Sequence, residues 1–185
     1  MTCCFYREWL PLEKREFRVL SLLASSGGHF EGNLSDMCRR LSLTPQTKNR
    51  RHLHASIQKL SEAGMLEATT AGQTVTLNLL PRTQRVEIDC DWVNILMKGG
   101  WAEEVSWEAV LKVLLWFTAN QRSDAIQRAE VAKEIGMSVS TISSAMNVLE
   151  REFNAITRSK VSEKIGENDF RTIGLYIDVS AWWDE

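Results

Sequence analysis

Apolar positions in the first third of the chain keep a helical rhythm and then switch to alternation. In 13–25, Phe17, Leu20 and Ala24 fall at steps of three and four, which predicts a helix that Gly27-Gly28 ends. In 34–41, Leu34, Met37, Cys38 and Leu41 share one face behind Asn33, a residue suited to cap a helix. After the turn at Ser42-Leu43, Thr44-Pro45 places a capping hydroxyl before a proline, a favoured way to open a third helix. Its inner stripe is Leu53, Ile57 and Leu60, and Gly64 stops it after Ala63. Then Val75, Leu77 and Leu79 alternate with Thr74, Thr76 and Asn78, so 66–80 reads as a β-hairpin turning at Thr70-Ala71-Gly72-Gln73.

The character changes over 81–91, and 92–97 reads as a short connecting helix broken at Gly99-Gly100. The pattern then repeats. Ser106 precedes a helix to Ala119 with Val110, Val113, Leu114 and Phe117 inward; 125–127 is an extended entry; 128–135 is a helix with Val131, Ala132 and Ile135 inward. Gly136 makes a turn, and Met137-Ser138 leads into a helix ending near Phe153, with inner stripe Val139, Ile142, Met146, Leu149 and Phe153. The segment 155–179 reads as a longer hairpin with its tip over 162–169. The expected division is a domain over 1–80, a linker over 81–105 and a second domain over 106–185.

Three helices with a tight turn between the second and third, followed by a two-stranded hairpin, resemble the winged helix-turn-helix proteins. The run QKLSEAGML at 58–66 is similar to that family's exit from its reading helix. The run AEVAKEIGMSVSTIS at 129–143 resembles the helix-turn-helix of bacterial regulators and plasmid replication initiators. A small residue at Ala132 allows close helix approach, Gly136 suits a turn that a β-carbon would obstruct, and Ser138 caps the next helix. The fold class expected is mainly α with small β-hairpins, as two winged helix-turn-helix domains in tandem. The resemblance implies double-stranded DNA as partner, a cytoplasmic location, and a role as transcription regulator or replication initiator of a phage, plasmid or other mobile element.

On a wheel of about 100° per residue, the third helix points Thr47, Lys48, Arg51, Ala55 and Gln58 outward, with Arg50, His52 and His54 on the flanks. Arg and Lys can pair with guanine edges, and Gln can read adenine. Arg39, Arg40 and Lys59 are candidates to hold phosphates. In the second half, Ser140, Ser144, Asn147 and Arg151 point outward beside Thr141, so only one basic group faces out. The second hairpin tip carries Glu163, Glu167 and Asp169 against Lys164, charges that repel phosphate. The second unit is therefore expected to make weaker DNA contacts, or to serve a homodimer or a protein partner.

Charge supports that asymmetry. The net is −2, but 1–86 hold 12 Lys/Arg and 7 Asp/Glu, against 10 and 17 in 87–185. The acidic half motivates an alternative: a winged-helix inhibitor, anti-CRISPR-like, that fills the basic channel of a host nucleic-acid enzyme. With 44% hydrophobic residues the chain can bury a core, and no apolar run reaches the ~20 residues of a membrane span. Cys3, Cys4, Cys38 and Cys90 form no CxxC pair and read as reduced thiols. His52 and His54, two apart on a helix, diverge and make no metal pair. No nucleophile, phosphate-loop or cofactor motif is present, so no enzyme, metal or cofactor is expected. Trp107 and Trp116 read as core. Trp9, Trp92 and Trp101 read as packing at unit edges, and Trp182-Trp183 as a homodimer contact.

Overall fold

The computed structural model describes residues 2–99, 105–120, 125–165 and 169–179. The chain divides into two compact units, Met1–Lys98 and Gly99–Glu185. Trp101, Glu103, Glu104, Glu167, Trp182 and Trp183 lie outside the described residues.

Unit 1 opens with β1 (Thr2–Tyr6), a single 3-10 turn (Arg7–Trp9) and α1 (Lys14–Ser25). It continues through β2 (His29–Asn33), α2 (Leu34–Arg40), α3 (Thr47–Glu62), β3 (Leu66–Ala71), β4 (Thr74–Leu79), β5 (Arg85–Asp89) and α4 (Cys90–Lys98). Strand order in the main sheet is β2-β4-β3, antiparallel, with β3 and β4 joined by the two-residue turn Gly72-Gln73. Gly72 has φ +64°, which a side chain would resist. Phe17, Leu20 and Ala24 of α1 and Leu53, Ile57 and Leu60 of α3 are all at most 5% exposed, so the predicted stripes form the core. Asn33 caps α2 by accepting from the Asp36 N–H at 2.9 Å.

Four expectations for this half are corrected. The segment 85–98 belongs to unit 1: β5 pairs antiparallel with β1 from Tyr6↔Arg85 to Thr2↔Asp89, and α4 packs on α1 and β1. Arg85 to Asp89 alternate polar and apolar, and Val86 and Ile88 point inward beside Cys3 and Phe5. That pairing places Cys3 and Cys90 side by side in a disulfide, so these two are not free thiols. Helix α3 starts at Thr47 with Gln46 at its cap position, not at Thr44. The chain turns through Ser42 (φ 55°), and Asn49 Nδ2 donates to the Thr44 carbonyl at 2.8 Å, holding that residue outside the helix. Trp9, expected at a unit edge, is 1% exposed and packs edge-on against Phe5 and Tyr6.

Unit 2 comprises α5 (Trp107–Ala119), α6 (Arg128–Ile135), α7 (Val139–Arg151), β6 (Thr157–Lys164) and β7 (Phe170–Asp178). Gly136 adopts φ +74° between α6 and α7, and Ser138 Oγ accepts from the Thr141 N–H at 3.1 Å. Ile142, Met146 and Leu149 are buried against α5 and α6. Val139 departs from its expected inner stripe: at the first turn of α7 it is 45% exposed. Phe153 falls beyond the end of α7 and is half-buried. Strand β6 runs to Lys164, so the tip begins later than expected.

The fold is mixed α/β and not mainly α. Of the described residues, 49% are helical and 26% are in strands, with seven strands in three small antiparallel sheets. The excess strand comes from β1, β2 and β5, short segments whose partners are distant in the chain. No helix among the described residues is long and apolar enough to cross a membrane.

Candidate nucleic-acid interface

Helix α3 buries Leu53, Ser56, Ile57 and Leu60, which fixes what its other faces present. Thr47, Lys48, Arg51, Ala55 and Gln58 are exposed along the crest, as the wheel requires. Arg50 and His54 lie on the flank that faces the hairpin. There they line a groove of about 640 Å³ with Arg39, the first residues of α2, and Thr70, Gly72 and Gln73. No carboxylate lines it. Arg50 is oriented by Nη1 and Nη2, which donate to Ser35 Oγ at 3.5 Å and Thr47 Oγ1 at 3.3 Å. Arg39, which also lines the groove, pairs with Asp36 one turn back.

The other flank is also basic. Partial loss of water, then the nearby Arg15, Lys48 and Arg51 cations, hold the His52 imidazole below its usual value. Burial pushes the Cys38 thiol up, while Arg50 and Arg39 pull the other way. Charge declines along α3: Gln58 Nε2 donates to Glu62 Oε1 at 2.9 Å, and a smaller groove of about 240 Å³ beside the hairpin includes Glu62. The basic end is the first half of the helix.

Two predicted phosphate contacts are placed elsewhere. Arg40 sits over the Phe30 ring, 5.4 Å from its centroid, and lines a different depression with Asp91 and Ile95. Lys59 Nζ lies 3.5 Å from Glu16 Oε1, a carboxylate only 6% exposed that also accepts from Ser56 Oγ at 3.3 Å. That contact ties α3 to α1, so Lys59 has a structural partner.

In unit 2, Ser140, Asn147 and Arg151 are exposed on α7, while Thr141 and Ser144 are half-buried. The hydroxyls are engaged locally: Ser138 Oγ is 2.8 Å from both Ser140 Oγ and Thr141 Oγ1. Asn147 Oδ1 accepts from Arg158 Nη2 at 3.0 Å. Arg158 also pairs with Glu150, which holds that carboxyl below the usual range. Sequence reasoning missed Arg15, Ser35 and Gln73. Arg15 lies in the first turn of α1, and Ser35 and Gln73 are neutral, so a search for basic residues on one helix passes over all three.

Among the described residues no cluster of three metal-ligating side chains occurs. The chain matches no family model and no curated protein.

Proposed function

We propose that this chain is a duplex-DNA-binding protein of the winged-helix kind, acting as a regulator or replication initiator of a mobile element, with α3 as its reading element. One observation carries the reading. The exposed first half of α3 bears Lys48, Arg50, Arg51 and His54 beside a groove that no carboxylate lines, with a hairpin on its far side. A helix of this width fits the major groove, and the hairpin is placed to follow the adjacent backbone. Arg51, at the crest, is the base-reading candidate; Lys48, Arg50 and Arg39 supply phosphate contacts.

The test is a titration of labelled random and operator-length duplexes with the full chain at several salt concentrations. Wild type should bind with a steep inverse dependence on salt. Arg50→Glu/Arg51→Glu should lower affinity by more than about tenfold, since it replaces two attractive contacts with repulsion. Ser144→Ala should stay within about twofold. Unaltered binding by the folded double variant would remove α3 as the reading helix. Retention of a host nuclease by a chain that holds no duplex would favour the inhibitor reading instead.

A further inference from the structure

The hairpin of unit 2 and the starts of α6 and α7 enclose a groove of about 470 Å³. Three cations line it: Arg128 from the first residue of α6, Lys160 from β6 and Arg171 from β7. No carboxylate does. Glu163 is the acid that faces Arg171 across the hairpin register, and it lies outside the lining.

The groove is built by backbone geometry. Ile126 and Leu175 exchange two hydrogen bonds, Ile126 N–H to Leu175 O at 2.7 Å and Leu175 N–H to Ile126 O at 2.9 Å. These dock the segment before α6 onto β7. Gly174 permits the approach: a β-carbon there would stand 2.9 Å from Ala125 Cβ and 3.0 Å from the Ile126 carbonyl oxygen. Arg128 is held in place by Nη1, which donates to Ser143 Oγ at 3.0 Å. Val139, the exposed apolar residue at the start of α7, forms part of the wall. The same place in unit 1, between the start of α2, α3 and the β3–β4 hairpin, is the Arg39/Arg50/His54 groove.

We infer that the Arg128/Lys160/Arg171 groove is a second phosphate-backbone site, so that both units hold duplex DNA at once. The inference rests on the reading of the chain as a DNA-binding protein, and it reverses the expectation that unit 2 lacks the charge for the task. Three cations from three elements line the one groove and can each pair with a phosphate oxygen, and the neutral Gln127 and Thr172 can donate to the same kind of acceptor. Linking two such sites in one chain makes the second contact intramolecular, which raises overall affinity without any base-specific contact.

The test uses the full chain and random-sequence duplex over a salt series. Each phosphate contact contributes roughly 0.9 to the slope of log affinity against log salt. Arg128→Gln/Lys160→Gln/Arg171→Gln should therefore make the slope shallower by about 2–3 and weaken binding by about tenfold or more at 100 mM salt. Glu163→Gln should tighten binding by about twofold, a gain that misfolding cannot produce. If the triple variant does not fold, Lys160→Gln alone should lower the slope by about 0.9. A folded triple variant with unchanged slope and affinity overturns the inference. So does a groove that polyglutamate occupies while duplex does not protect it, since its partner is then an acidic protein surface. The Arg50→Glu/Arg51→Glu chain, run alongside, separates the two failures. If it loses binding while the triple variant does not, only the second site is wrong. If it keeps full binding, the α3 reading fails.

Discussion

His52 lies among the cations on the second flank of α3. Partial desolvation and three neighbouring cations, Arg15, Lys48 and Arg51, disfavour its protonated form. A depressed imidazole means that the unfolded chain takes up the proton first, so its contribution to stability is present above the ordinary histidine range near ~6.5 and is lost as pH falls through the folded value. If duplex DNA binds along this flank as proposed, its phosphates neutralise the same cations and favour imidazolium, so the complex would take up a proton that the free protein resists. Affinity should rise about two- to threefold between pH 8 and pH 6 through this residue. His52→Asn should flatten that part of the profile. A profile identical in wild type and variant would show that no phosphate approaches this flank. Lys59, equally basic in the sequence, differs because buried Glu16 already engages it.

Elements whose signals are local were legible. Helices α1, α2 and α6 follow their apolar spacing, α7 follows it at Ile142, Met146 and Leu149 but not at Val139 or Phe153, and the caps at Asn33 and Ser138 are hydrogen-bonded as the residue types suggest. The crest of α3 followed from the same periodicity: with Leu53, Ile57 and Leu60 inside, Arg51 and Lys48 must face out. Elements defined by distant partners were not. Strand β5 alternates cleanly over Arg85 to Asp89, yet its partner β1 lies some eighty positions away, and five residues without a neighbouring partner strand resemble a linker. The unit 2 groove escaped for a related reason. Arg128, Lys160 and Arg171 come from three elements, so no single helix wheel collects them, and the tip acids dominate a linear count. Gly174 is the one residue whose identity reports that assembly. Gly174→Ala should destabilise unit 2 by about 1–3 kcal/mol, as a β-carbon at 2.9 Å forces β7 away from Ala125. Thermal unfolding measures it, and a variant that melts with wild type would mean that the approach is looser than the structure gives.

At the scale of the molecule, the boundary decides what the first unit is. With 85–98 assigned to it, unit 1 carries 13 basic and 10 acidic residues and unit 2 carries 9 and 14, a milder polarity than a cut at residue 86 suggests. The separation of a positive and a negative half therefore weakens as an argument for two opposite partners, while the local grooves, each without a lining carboxylate, gain weight. The boundary is open to a direct test. A fragment ending at residue 80 loses β5 and α4, and with them Val86, Ile88, Val93 and Leu96, all at most 6% exposed, along with the disulfide partner of Cys3. Burying an aliphatic side chain of this kind contributes about 1.5–3 kcal/mol, so four exceed much of the ~5–15 kcal/mol that holds a domain together. Fragment 1–98 should unfold cooperatively and bind duplex DNA more weakly than the whole chain, while 1–80 should give no cooperative transition. Equal melting temperatures for the two fragments would mean that β5 and α4 are an appendage. Equal DNA affinity for 1–98 and the full chain would instead mean that the second unit adds no contact of its own.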